Sequence, residues 1–281
     1  MREINVKDVI PVIKKLCIDA SIYIGDDVVE KLKEFQEKEE SPIAKEIISI
    51  IFENQRLSVE KQMPLCQDTG VAVFFIELGQ DVHLVGGDFY KAINEGVRQG
   101  YKDGYLRKSM VDDPIIDRKN TKDNTPALIY LDIVPGDKIK ITLAAKGGGS
   151  ENMSEVKMMK AADGIEGVID FVVDRVKRSG GNPCPPIIVG VGLGGNFEQS
   201  ALLAKKSLLR SLNEKNPDPK WAKVEEEILE KVNNLGIGPQ GLGGRTTAIA
   251  VNILHKACHI ACMPVAVNIQ CHVHRYKTAM I

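Results

Sequence analysis

Residues 181–195 read GNPCPPIIVGVGLGG, and two incompatible folds can be drawn from them. From Gly190 onward the spacing is G-x-G-x-x-G after a short apolar run, the fingerprint of a dinucleotide-binding strand and turn. Just before the run, Cys184 stands among Pro183, Pro185 and Pro186. A nucleotide motif should open the first βαβ unit, with an acidic residue about 20 positions on, at the end of the next strand. Here the motif lies two-thirds along the chain, and Glu214, near the right distance, falls in the polar stretch SLNEKNPD. The nucleotide reading is therefore weak, and the segment's role turns on Cys184 and on the other cysteines of the chain.

Working outward, PPIIVGVGLGG reads as strand then turn, and NFEQSALLAKKSLLRSL as the helix after it. Upstream, residues 155–178 carry a helical pattern, and KGGGSENMS before them demands a tight turn. ALIYLDIVPGDKIKITLAA suggests a hairpin around Pro135, Gly136 and Asp137, VAVFFIEL a buried strand, and FYKAINEGVRQGYKDGYL a helix interrupted by glycines. The first sixty residues look helical, with Ser41 and Pro42 at a helix start. Downstream, a helix runs to about Leu235, GIGPQGLGGRTTA is a second glycine-rich loop, and CMPVAVNIQC is the last strand. His255 and His259 would share one face if their apolar segment is helical. The reading is α/β (α+β): one domain over 1–281, with residues 1–62 mainly helical and residues 63–281 a mixed or antiparallel sheet core flanked by helices.

Composition narrows the class of function. The 281 residues are 43% hydrophobic and 27% charged, with a net charge of -1, which gives no reason to expect nucleic acid or an anionic membrane as partner. No apolar run approaches the ~20 residues of a membrane span, and the charged start MREINVKDVI is unlike a secretory signal. A cytoplasmic chain is expected, in which the six cysteines serve as thiols or ligands rather than disulfides.

Cys17 falls in an amphipathic helical pattern and reads as core. Cys66 in MPLCQDTG, Cys184 in GNPCPPI and Cys271 in NIQCHVHR each stand where a loop meets a strand, the place where sites on α/β sheets gather. Three isolated thiolates would suit an iron–sulfur cluster with one open iron; unrelated buried thiols fit the residues equally well. Cys258 and Cys262, with Cys271 and His272 or His274, allow a zinc site to be drawn, although the second pair is tighter than zinc sites use. KGGGSEN and GPQGLGGRTTA, the second with Arg245, offer backbone N–H groups to an anion, and neither carries a P-loop ending. Arg107 in GYLRKSMVDDP could clamp a carboxylate.

Taken in order, PLCQDTG, LRKSMVDDP, KGGGSEN, NPCPPIIVGVGLGG, GPQGLGGRTTA and HIACMPVAVNIQCHVHR resemble the class I, iron–sulfur fumarate hydratases, specifically their alpha or N-terminal part, a group that includes L-tartrate dehydratase. The resemblance spans nearly the whole chain. It implies a 4Fe–4S cluster on three cysteine ligands, Cys66, Cys184 and Cys271, with the open iron facing substrate, and leaves Cys17, Cys258 and Cys262 structural. It implies substrate contacts by Gln67, Arg107 and Gly148, and catalytic parts for Asp68 and His259. The reaction implied is reversible hydration of fumarate to L-malate; elimination of water from L-tartrate is the neighbouring reading, and a non-catalytic iron- or zinc-binding protein the remote one. Single-chain members carry a further domain that supplies more cations and the base. A chain ending at Ile281 is therefore expected to be inactive until a separate beta subunit completes the site for its dicarboxylate, in an alpha2beta2 hetero-oligomer.

Overall fold

Helix caps and apolar runs set most of the elements in the computed structural model, which describes residues 1–281. The chain opens with β1 (Arg2–Asn5), α1 (Val6–Ile22), α2 (Asp26–Lys38) and α3 (Pro42–Lys61). Next come β2 (Val71–Gly79), β3 (Val82–Val85), α4 (Phe89–Asp103), β4 (Leu128–Val134), β5 (Ile139–Lys146) and the single turn α5 (Gly148–Glu151). Then follow β6 (Glu155–Met159), α6 (Gly164–Ser179), β7 (Ile187–Gly195), α7 (Phe197–Ser207) and α8 (Pro219–Asn233). The chain closes with β8 (Ala248–Cys258), β9 (Met263–Gln270) and β10 (Tyr276–Met280). The Asn5, Asp88, Asn196 and Asp218 side chains cap α1, α4, α7 and α8 by accepting first-turn N–H groups. No helix is long and apolar enough to cross a membrane.

Two compact units divide these elements. The first comprises Met1–Ile24, Asn54–Gly148 and Arg275–Ile281. Its sheet runs β10-β5-β2-β4, with β2 parallel to β4 and antiparallel to β5; β1 and β3 form a separate parallel pair. The buried residues of α1 and α4 join those of β2 and β5 in one core, around Ile13, Val97, Phe74 and Leu143. The glycines of α4 do not interrupt it. They let α1 come close, since a Cβ at Gly100 would sit 2.8 Å from that of Cys17.

The second unit comprises Gly25–Glu53 and Gly149–His274. Its sheet runs β6-β9-β7-β8, with β7 parallel to β8 and antiparallel to β9. The core gathers β7, β8 and β9 with α6 and α8, around Val189, Ile253, Val267, Val172 and Ile228. Gly190 and Gly192 lie inside β7, not in a turn after it. A Cβ on either would run into the backbone of α7, at the Ala204 and Ser200 carbonyls. The fingerprint spacing thus serves close helix–sheet packing, and the nucleotide reading falls. Each unit uses the same strand pattern: a central strand with a parallel neighbour on one side and an antiparallel neighbour on the other, then an outer antiparallel strand.

The α/β class with mixed sheets is as read from the sequence, and four local readings need correction. Residues 128–146 form two strands but no hairpin, because β2 lies between β4 and β5. The turn bonds to the end of β2 instead: Gly79 N–H donates to Lys138 O at 2.8 Å and Asp81 N–H to Gly136 O at 3.0 Å. Apolar on both faces, β2 takes a strand on each side. Residues 155–159 are β6, not the start of a helix. The apolar stretch carrying His255 is β8, so His255 and His259 share no helical face. The last strand is β10, not β9.

Candidate functional site

In the first unit the loop of residues 66–70 is held from every side. Before it, Leu65 is buried; its N–H donates to Ser21 O at 2.9 Å and its carbonyl accepts from Asn54 Nδ2 at 2.9 Å. Cys66 is half-buried and Gln67 exposed. Asp68 uses both carboxylate oxygens: Gly70 N–H donates to Oδ1 at 3.0 Å and Gly148 N–H to Oδ2 at 2.8 Å. The anion that the KGGGSEN loop holds is therefore the chain's own. Thr69 Oγ donates to Arg107 O at 3.1 Å, which ties Arg107 to this loop while its side chain stays exposed.

Behind the loop, the Tyr101 hydroxyl donates to Gly70 O at 2.9 Å and Asn124 Nδ2 to the same oxygen at 3.2 Å. Both residues are buried, and burial pushes the Tyr101 phenol above its ordinary range. Gly70 has φ +80, and a Cβ there would meet the Lys146 backbone at 2.7 Å, so only glycine lets this loop close on β5. Arg275, 2% exposed, donates from Nη1 to Asp68 O at 2.6 Å. Nothing in the sequence pattern marked Arg275 as buried; its only signal was its place at the end of CHVHR.

In the second unit Cys184 is exposed and has φ 55, the left-handed region that non-glycine residues enter at a cost of roughly 1–3 kcal/mol. Its surroundings impose it. The Cys184 N–H donates to Gly181 O at 3.0 Å, and His272 Nδ1 lies 2.9 Å from Cys184 O, where it carries the proton and donates. Gln240 Nε2 and the Gln240 backbone N–H each donate to Pro185 O at 2.8 Å. Cys271, half-buried, directly precedes His272, so the residue beside one thiol braces the loop of the other. His272 and Gln240 escaped the sequence reading because their partners are backbone atoms far away in sequence.

The second glycine-rich loop is a brace and not an anion site. Its Arg245 N–H donates to Glu39 Oε1 at 3.0 Å; the Thr246 N–H and hydroxyl donate to Oε2 at 2.7 and 2.6 Å. Glu39 is 3% exposed. Burial works to raise its pKa, but the bonds from Thr246, Arg245 and Ser41 outweigh it and hold the carboxyl down at about 2. A depressed carboxylate stabilises the fold fully above its unfolded value, near 4.3, and loses that as pH falls toward 2. Glu39→Gln is expected to lose roughly 3 kcal/mol at neutral pH, with the gap from wild type closing below about pH 4.5. Urea unfolding at stepped pH values checks both the size and the sign.

His259 stands apart. It is exposed in the turn between β8 and β9, where its Nδ1 accepts the Ala261 N–H at 3.1 Å. Cys271 follows the other end of β9, so the eight residues of that strand separate them, about 25 Å at the rise of a strand. Cys17 is buried, with its thiol pushed up by desolvation, and reads as core packing. Cys258 Sγ donates weakly to Cys262 O at 3.1 Å. None of the six cysteines forms a disulfide. Within neither unit do three or more His, Cys, Asp or Glu side chains gather into a group able to hold a metal ion.

Residues 10–280 match the family model described as Fumarate hydratase (Fumerase). A provisionally named L(+)-tartrate dehydratase subunit alpha of Methanocaldococcus jannaschii is 42% identical over 272 residues, covering 94% of each chain. The L(+)-tartrate dehydratase subunits alpha of Escherichia coli O157:H7 and K12 are 35% and 34% identical over 264 residues, covering 93% of this chain and 86% of theirs. With the match running over almost its entire length, the chain belongs to the fumarate hydratase family of hydro-lyases.

Proposed function

We propose that the chain, over its whole length 1–281, is the alpha subunit of an iron–sulfur hydro-lyase that adds or removes water across a four-carbon dicarboxylate. The first reading is reversible hydration of fumarate to L-malate. The names of the relatives favour L(+)-tartrate as the second, with the same elimination and one more hydroxyl to seat. The observation that carries the proposal is the setting of three thiols. Cys66, Cys184 and Cys271 each stand accessible at a braced loop or strand end, while Cys17 lies sealed in the core.

The donor set fits a 4Fe–4S cluster: three thiols, none in a disulfide, leave one iron without a protein ligand. Cys66, Cys184 and Cys271 would hold it. When bound, such a cluster supplies a Lewis-acid iron that eases departure of a hydroxyl. The rest falls to the chain's own groups. Arg107, exposed and tied to the Cys66 loop, offers a fork matched to a carboxylate. Gln67 presents an amide beside Cys66. Asp68 is fixed by two backbone N–H groups, and each oxygen keeps a lone pair to accept a substrate hydroxyl proton. Gly148 orients that carboxylate, and a substrate carboxylate competing for its N–H would release Asp68.

His259, the length of β9 away from Cys271, takes part in our reading only on the site of a second copy, which an alpha2beta2 assembly provides. The base comes from a separate beta subunit. Alpha chain reconstituted anaerobically is expected to show no turnover of malate or tartrate alone, and turnover of one of them once beta is added. Full activity of alpha by itself, or none on either substrate with beta, would sink the reading. The preferred substrate decides between the two dicarboxylates.

A further inference from the structure

We propose that Arg275 is the positioning residue of the Cys66 loop, holding the thiol of Cys66 and the carboxylate of Asp68 in place from beneath. A guanidinium is costly to bury unless its donors are used, and Arg275 is 2% exposed. Its Nη1 donates to the Asp68 carbonyl at 2.6 Å. Its Nη2 faces Gly147: a Cβ on that glycine would stand 3.4 Å from Nη2 and 3.4 Å from Asp68 Oδ2, so cation and carboxylate crowd the same small residue. Its Nε has no partner. Its own backbone is pinned, because Ala145 N–H donates to Arg275 O at 3.0 Å.

One side chain thus ties residues 66–70 to the end of β5 and to the start of β10. Lysine cannot replace it fully, since a single ammonium lacks the planar fork that reaches the Asp68 carbonyl with one nitrogen while the other lies near Gly147. A role confined to stability is poorly served by a buried cation with one donor unused, for apolar residues of similar volume fill such positions as well or better. What the loop is positioned for rests on the function proposed above; the positioning does not.

The test uses the full-length chain without cofactor, reduced and anaerobic, and follows alkylation of each cysteine by iodoacetamide with peptide mass spectrometry. Arg275→Gln is expected to raise the alkylation rate of Cys66 about ten-fold, as loss of a charge-assisted hydrogen bond frees the loop. Arg275→Lys should give a smaller rise. Cys184 should keep its wild-type rate, and the buried Cys17 should stay unreactive. An unchanged Cys66 rate in folded Arg275→Gln overturns the proposal. So does a rise at Cys66, Cys184 and Cys17 together, or loss of the far-ultraviolet signal in both variants, since either assigns Arg275 to global stability. With beta added, an expected fall in kcat/KM at unchanged iron content extends the role to catalysis. Because the alkylation arm needs neither cluster nor beta, absence of wild-type turnover would count against the proposed function alone.

Discussion

Cys184→Ser is expected to leave the chain folded and to remove turnover of the alpha–beta enzyme by a factor on the order of 10⁴ or more. The thiol is exposed, so its loss opens no cavity in the core. The backbone that presents it is held by Gly181, His272 and Gln240 through main-chain atoms, none of which the substitution touches. A serine hydroxyl stays protonated where a cysteine gives a thiolate, so the ligand is lost while the loop remains. Cys17→Ser inverts the pattern. It places a hydroxyl in the core between α1 and α4, lowering stability by about 1–3 kcal/mol, with iron content unchanged. Circular dichroism, iron analysis and malate turnover on the two variants separate a ligand from a packed thiol.

Gly192→Val is expected to cost more than about 4 kcal/mol, or to prevent folding altogether. The position is buried in the central strand β7, and the added Cβ would strike the Ser200 carbonyl and the Ala204 N–H of α7, backbone that cannot turn aside as a side chain would. Were GVGLGG a nucleotide cradle, those glycines would face a ligand and the change would remove binding while the fold survived. Soluble yield and the urea midpoint of Gly192→Val measure the first outcome. Wild-type stability with nothing lost but affinity for a dinucleotide would revive the second.

These two substitutions also mark what the sequence could and could not tell. Cys66 and Cys184 stand out in the sequence because cysteine, proline and glycine together are rarely needed for packing, whereas Cys271, in NIQCHVHR, stands out only by its place at the end of an apolar run. Helices were legible where a start signal and apolar spacing agree, as at Ser41 and Pro42 before α3. Strand partners were not. Residues 128–146 look like a hairpin because two apolar runs flank a turn, yet pairing is decided by β2, which needs a neighbour on each side. A short apolar run likewise reads as helix or strand with equal ease, which is how β8 was missed.

The least legible layer is the one that fixes the loops within each unit. Glu39 fills the N–H groups of the second glycine loop across more than two hundred residues of sequence, His272 holds a carbonyl next to Pro185, and Arg275 holds another behind Cys66. Each is a side chain bonded to distant backbone, and a backbone partner leaves no mark in the residue types along the chain. His259 is a different case: the resemblance gives it a catalytic part, and strand β9 separates it along the chain from Cys271.

The most direct measurement is iron, sulfide and zinc content of the anaerobically reconstituted chain, taken for wild type, for Cys66→Ser, Cys184→Ser and Cys271→Ser singly, and for the Cys258→Ser/Cys262→Ser pair. The account predicts about four irons and four sulfides per wild-type chain, as a 4Fe–4S cluster requires. It predicts the same content in the Cys258/Cys262 pair, and loss of the full cluster in each of the three single variants. One zinc per chain, or a cluster that survives in the single variants and disappears with Cys258 and Cys262, would contradict it.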